Sequence, residues 1–220
     1  MYKRQGYVQH IDVQALGVIA NTDEIQIFMD VLPGSFVHIG MPLARTVSLS
    51  KARGEELASS NEKIIATLAI GVRRTFEHDP RFGLSVLSEI ASRALSPAVN
   101  DPGTAIDVIG RGVRSLTCWG TPKEPAAKID ADCQHVYLRG LTVDDLFDDF
   151  FAPIARDGAG LVEVDLRMMK ALVSLAQINP AMFRGACTRH AELLLKHANT
   201  ALVLEEDRHK LRAAARPLLH

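Results

Sequence analysis

The residues able to do chemistry in this chain crowd into one stretch, Arg73 to Asp107. It opens with Arg73-Arg74-Thr75-Phe76-Glu77-His78-Asp79-Pro80. It continues with Arg93-Ala94-Leu95-Ser96-Pro97-Ala98-Val99-Asn100-Asp101-Pro102-Gly103-Thr104-Ala105. Arg73, Arg74 and Arg93 supply fixed, planar positive charge. Asp101-Pro102 opens a helix whose first N–H groups and dipole favour an anion. The functional reading is an anion-binding site made of Arg73, Arg74, Arg93, Ser96, Asn100, Asp101 and Thr104. The plainer reading makes Asp101 an N-cap and pairs the arginines with Glu77, Asp79 and Asp101. Caps and ion pairs are far commoner than sites, so the plainer reading carries more weight. Pro97 and Pro102 stiffen the loop by restricting the residues before them. The functional reading predicts that Asn100 and Asp101 are buried, with Arg93, Arg73 or Arg74 within bonding distance.

Other chemistries find less support. There is no Gly-rich phosphate loop, His-Glu-x-x-His, nucleophile elbow or kinase signature, so no catalytic residue is assigned. His78 lies between Glu77 and Asp79, but adjacent residues rarely converge on one ion, and no metal is expected. His190 and His197 are two helical turns apart and read as surface or interface histidines. Asp144, Asp145, Asp148 and Asp149 sit in the first turns of a helix, where the dipole favours them. Cys118, Cys133 and Cys187 are an odd, scattered set, which excludes a disulfide framework and fits a reducing compartment. They read as core or partly buried thiols, and no cofactor is expected.

Composition bounds the rest. The chain has 220 residues, 47% hydrophobic and 23% charged, enough for a sizeable core without staples. A formal net charge of −1 argues against nucleic acid as a partner. The longest apolar stretch, Ile64 to Val72, is too short to span a bilayer. No signal peptide is visible, so the chain as given reads as soluble.

The elements that must position these residues form an α+β chain. Residues 1–75 read as a small β-rich unit, barrel-like or hammerhead-like, with one short helix and a polar segment. Residues 76–220 read as a helical bundle. Asp12 caps a helix over Val13 to Ala20. Ile25, Ile27 and Met29 alternate as one face of a strand. Pro33-Gly34 and Gly40-Met41-Pro42 are turns around a short strand at Phe36 to Ile39, and Leu43 to Val47 forms another. Residues 48 to 63 suit a surface helix or ordered loop, and Ala66 to Arg73 a strand. From Asp79, apolar residues recur every three to four positions. Gly120 to Ala127 reads as a linker, Cys133 to Leu138 as a short strand, and Arg208 to Arg216 as a basic tail.

Three runs of residues carry a resemblance. They are Gly6-Tyr7-Val8-Gln9-His10-Ile11-Asp12, Pro33 to Leu43, and Arg93 to Pro102 with Asp79-Pro80-Arg81-Phe82-Gly83 before it. The chain resembles the C-terminal part of a bacterial family known as a predicted membrane protein with a domain of unknown function. The resemblance implies several transmembrane helices ahead of the Gly6-Tyr7 motif. Lys3-Arg4 is then a juxtamembrane stub, which fits a cytoplasmic face at the inner membrane. It supplies no activity. Gly34 to Leu43 is also similar to the hairpin of biotinyl-lipoyl barrels, but the turn has no modifiable lysine. The leading expectation is a ligand-sensing or assembly module of a membrane protein. An enzyme acting on an anionic small molecule, or a purely structural oligomerisation domain, stands as the alternative. Expected partners are further copies of the chain, its own transmembrane region and a small anion.

Overall fold

A computed structural model describes residues 5–49, 54–121 and 133–219. Its elements are helical after residue 79 and mixed before it, the α+β architecture expected from the change of hydrophobic period. Two compact units divide the chain between Phe82 and Gly83. The first unit also takes in the later segment that ends at Gly140.

The first unit holds two three-stranded sheets. Strands β1 (Gly6–Ile11), β3 (Phe36–Val37) and β5 (Leu68–Gly71) form one, ordered β3-β1-β5 and antiparallel throughout. Strands β2 (Ile25–Met29), β4 (Ala44–Ser48) and β6 (Val136–Leu138) form the other. β2 pairs antiparallel with β4 and parallel with β6, opposing Ile27 to Val136. Alternation along β2 buries Ile25, Ile27 and Met29, as the sequence pattern predicts. These side chains meet Val8, Ile11 and Val37 from the first sheet and Leu16 from helix α1 (Val13–Thr22) in a single core. Asp12 caps α1 by accepting the Ala15 N–H at 2.9 Å. Helix α2 (Gly54–Ala66) occupies the polar segment. Its Ser60 hydroxyl and Lys63 ammonium donate to Asp23, at 2.7 and 2.9 Å, and tie it to the end of α1.

The second unit is all helical after α3 (Pro80–Ala94) enters it. It comprises α4 (Pro102–Gly120), α5 (Val143–Asp157), α6 (Val162–Ile178), α7 (Pro180–Ala201) and α8 (Glu205–Leu219). Thr142 caps α5 through the Asp145 N–H at 3.1 Å. The stretch read as a basic tail is α8, which buries Leu211, Ala215 and Leu218. Their spacing of three to four residues is an amphipathic stripe that the dense basic residues mask. Arg208 Nε donates to the Leu202 carbonyl at 2.9 Å and anchors the start of α8. The linker read at Gly120 to Ala127 lies mostly outside the described residues.

Four fully buried phenylalanines, Phe147, Phe150, Phe151 and Phe183, dominate the core of this unit. Two glycines of α4 make room for them. A Cβ on Gly112 would stand 2.0 Å from Phe150 Cζ, and one on Gly120 2.2 Å from Phe183 Cζ. Both rings are packed on their other faces, so neither can retreat cheaply. Gly112→Ala is therefore expected to lower stability by about 1–3 kcal/mol despite its gain in helix propensity. Urea titration followed by circular dichroism measures the loss; a stabilised variant would refute the packing account.

Candidate functional site

The seven candidate residues divide between the units. Arg73 and Arg74 belong to the first, and Arg93, Ser96, Asn100, Asp101 and Thr104 to the second.

Arg74 is a structural residue. Its Nε donates to Asp79 Oδ2 at 2.7 Å and its Nη2 to Oδ1 at 2.9 Å, a bidentate pair. Asp79 is 3% exposed, and its Oδ1 also accepts the Phe82 N–H at 3.1 Å, capping α3. The Arg74 guanidinium lies 5.0 Å from the centroid of Phe82, a cation–π contact. The pair engages two of the five guanidinium N–H donors and holds Arg74 against Asp79. Arg73 is exposed, and its carbonyl accepts the Gln9 Nε2–H at 2.8 Å.

The Ser96–Thr104 loop closes on its own backbone. The Asn100 N–H donates to Ser96 O at 2.8 Å and the Asp101 N–H to Ala94 O at 2.9 Å. Asn100 takes a left-handed φ of 48°, which its short polar side chain tolerates. Ser96 Oγ donates back to the Arg93 carbonyl at 2.7 Å. Asp101 accepts the Thr104 N–H at 3.1 Å and its hydroxyl at 2.5 Å. The Thr104 hydroxyl, with backbone N–H groups of Thr104 and Gly103, holds the Asp101 carboxyl below the usual carboxylate range. Asn100 and Asp101 are exposed, which corrects the expectation that they are buried. The loop satisfies its polar groups locally, so nothing forces them inward. The α4 N-terminus is likewise engaged by its own cap and is not an open anion cradle.

Arg93 is an available cation that stands beside concave surface. It has no ion pair among the described residues, even with Glu89 one turn earlier. Two clefts meet at it. One, of about 470 Å³, is lined by Val86, Ile90, Val99, Asp101 and Thr104. The other, of about 620 Å³, adds Ser88, Ser92, Asp148, Asp149 and Arg156. Arg93 and Glu89 line both. Asp148 is already countered by Arg189, whose Nη1 donates to its Oδ1 at 2.8 Å, while Nη2 reaches Asp144 at 2.9 Å.

Two buried ionisable groups escape sequence reasoning. His190, read as a surface or interface histidine, is fully buried between Phe147 and Phe151. Its Nε2 lies 3.2 Å from Asp148 Oδ1 without hydrogen-bond alignment. Burial, helped by the Arg189 charge, pushes its pKa down to about 4. Asp165 is 1% exposed, and neither carboxylate oxygen has an aligned hydrogen-bond partner among the described residues. Burial lifts its pKa to about 7, against a nearby Gly160 N–H. Asp165 adjoins the apolar stripe of Val164, Met168 and Leu172, the one hint its sequence position gives. Cys187 is buried and its thiol pushed up to about 12, whereas Cys118 is exposed. No group of three or more His, Cys, Asp or Glu side chains gathers among the described residues.

The family model described as "Predicted membrane protein (DUF2254)" matches residues 1–174. The chain belongs to this family. Uncharacterized proteins of Mycobacterium bovis and Mycobacterium tuberculosis are each 35% identical over 104 residues. That match covers 47% of this chain and 20% of each relative, so the chain spans only a fraction of the length of these relatives. No solved structure matches. Among the described residues, no helix is long and apolar enough to cross a membrane.

The two aspartates of the candidate segment have different expected weights. Asp79→Ala leaves a partly exposed arginine without its partner and removes the α3 cap, and is expected to cost about 2–3 kcal/mol. Asp101→Ala removes an exposed cap and costs much less. Urea midpoints of both variants test this; equal losses would show that Asp101 has a further buried partner.

Asp165 gives the folded state a proton that the unfolded chain releases above its ordinary pKa of 3.8. Its contribution therefore falls as pH rises from about 4 to about 7. Asp165→Asn is expected to gain on the wild type across that window, by at most about 4 kcal/mol, and to plateau above it. Denaturant midpoints measured in parallel from pH 4 to 8 follow the difference; a difference independent of pH would refute the raised pKa.

Proposed function

We propose that this chain is a cytoplasm-facing, extramembrane module of a bacterial membrane protein, and that it senses a small anionic ligand. Arg93 carries the reading. It is an exposed guanidinium without an ion pair among the described residues, standing where two clefts meet. An unpaired arginine beside a concave surface suits a carboxylate or phosphate, which it can grip with two parallel bonds. Both clefts are of small-molecule size, and the 470 Å³ cleft is the better seat because it has the more apolar wall. Val86, Ile90, Ala94 and Val99 give it an apolar wall, and Asp101 is turned towards Thr104. The ligand class is therefore a molecule with an apolar body and one acidic group. Glu89 lines both clefts, and the 620 Å³ cleft is less suited to an anion because Asp148 and Asp149 line it as well. Membership of a predicted membrane protein family supports the setting. The basic pair Lys3-Arg4 supports the cytoplasmic face.

A thermal-shift panel of aliphatic and aromatic carboxylates and phosphate monoesters tests this, run on wild type and Arg93→Ala. A ligand at a hundred times its Kd adds about 2.7 kcal/mol. For a chain of this size that raises Tm by roughly 5–10 °C. Arg93→Ala is expected to melt like the wild type alone and to lose the shift. A panel without hits, or a shift that survives in Arg93→Ala, would overturn the assignment.

A further inference from the structure

The first unit brings together two histidines that lie far apart in sequence. His10 of β1 and His78, just ahead of α3, have ring centroids 4.5 Å apart, with their planes inclined at 43°. Both residues are exposed. Each is positioned by an anchor of its own. Along β1 the register shifts between Val8 and His10, which leaves Gln9 without an opposite residue on β5. This bulge breaks the alternation, so that Val8 and Ile11 face the core while His10 is turned out. The bulged Gln9 packs against Gly71, where a Cβ would stand 2.4 Å from its Nε2. The same Nε2 donates to the Arg73 carbonyl at 2.8 Å, which ties β1 to the segment carrying His78. The far end of that segment is held at Asp79, the residue after His78, by the Arg74 guanidinium and the Phe82 N–H.

We propose that His10 and His78 form a two-imidazole site for a late first-row divalent metal ion, of the Ni²⁺ and Cu²⁺ class. Imidazole nitrogen is a preferred donor for these ions. Two ring nitrogens about 2.0–2.1 Å from one ion set the centroids roughly 4.5 Å apart in cis positions, and roughly 5 Å apart in a tetrahedron. The 4.5 Å separation fits the cis arrangement, which belongs to square-planar and tetragonal centres. Beyond the contact with each other, neither imidazole has a hydrogen-bond or ion-pair partner among the described residues. Their nitrogens are therefore available to a ligand. No third His, Cys, Asp or Glu gathers with them among the described residues. Water fills the remaining positions, so the ion is held open and exchangeable, unlike one in a closed four-ligand centre. Glu77 is exposed beside His78 and favours a cation, the Asp79 charge is offset by Arg74, and Arg73 is the opposing charge on the segment. The immediate neighbours of His78 make no ligand set, and β1 supplies the partner that they do not.

Calorimetric titration of the whole 220-residue chain with Ni²⁺ tests the proposal. Ni²⁺ is the probe because it does not oxidise the exposed Cys118 thiol. Wild type is expected to bind the ion, and His10→Asn and His78→Gln are each expected to weaken its tightest site by about tenfold or more, since even groups behind a metal ligand are worth that much. Both rings are exposed, so the metal-free variants are expected to melt like the wild type. Imidazole proton–carbon NMR locates the ion: substoichiometric Ni²⁺ is expected to broaden the His10 and His78 signals together, ahead of every other histidine. The proposal fails if Ni²⁺ does not bind, or if the signals of other histidines broaden first. It also fails if either single variant keeps the wild-type affinity, which would make the ring contact simple packing.

Discussion

Asp79 carries its charge into the interior of the first unit, and the chain around it is arranged to offset the cost. A buried carboxylate is expensive unless its oxygens are filled by donors. Arg74 supplies two, and the Phe82 N–H supplies a third. The approach is so close that a Cβ on Gly34 would stand 2.2 Å from Asp79 Oδ2. Gly34 also holds φ at +90°, so the Pro33-Gly34 turn needs glycine twice over. This contact fixes the path of residues 72–82 and the start of α3. It also holds Arg74 against Asp79 and leaves Arg73, its neighbour, facing out.

Packing in the second unit follows a different rule. The rings of Phe150 and Phe183 press onto the backbone of α4 at Gly112 and Gly120, with no space left for a methyl group. The opposite consequence holds on the outside of α3. Arg93 is exposed there and its guanidinium has no ion pair among the described residues, beside concave surfaces that the bundle leaves unfilled. The loop from Ser96 to Thr104 is stiff because its backbone bonds and two prolines fix it, independently of any arginine. Its function in the fold is to launch α4 in a set direction, which places Asp101 and Thr104 in the lining of the cleft at Arg93.

Asp165 and His190 make the helical unit sensitive to pH from both sides. His190 is neutral when folded, so its contribution falls as pH drops from about 6.5 towards 4. Asp165 is protonated when folded at low pH, so its contribution falls as pH rises towards 7. The two slopes oppose each other over most of the acidic range. Neither group has an aligned hydrogen-bond partner among the described residues, and each is kept in place by the apolar side chains around it.

The sequence by itself determined what depends on local period and local caps. The strand at Ile25–Met29, the caps Asp12, Asp101 and Thr142, and the change to helix near residue 79 are all of this kind. Neighbours in sequence are the interacting groups there, so their order is sufficient. Family membership was legible for the same reason, since it rests on runs such as Gly6 to Asp12 and Arg93 to Pro102. Only the tertiary structure decided which arginines were left without an ion pair among the described residues. Arg73, Arg74 and Arg93 have equal chemistry on paper, and a buried aspartate five residues along captured Arg74. Only the tertiary structure, too, returned β6 to pair with β2, more than a hundred residues away. It also turned the basic segment at Arg208 into a packed helix, and buried His190 and Asp165 without aligned hydrogen-bond partners among the described residues. These outcomes depend on which surfaces meet across long separations, and residue type and spacing along the chain do not record that.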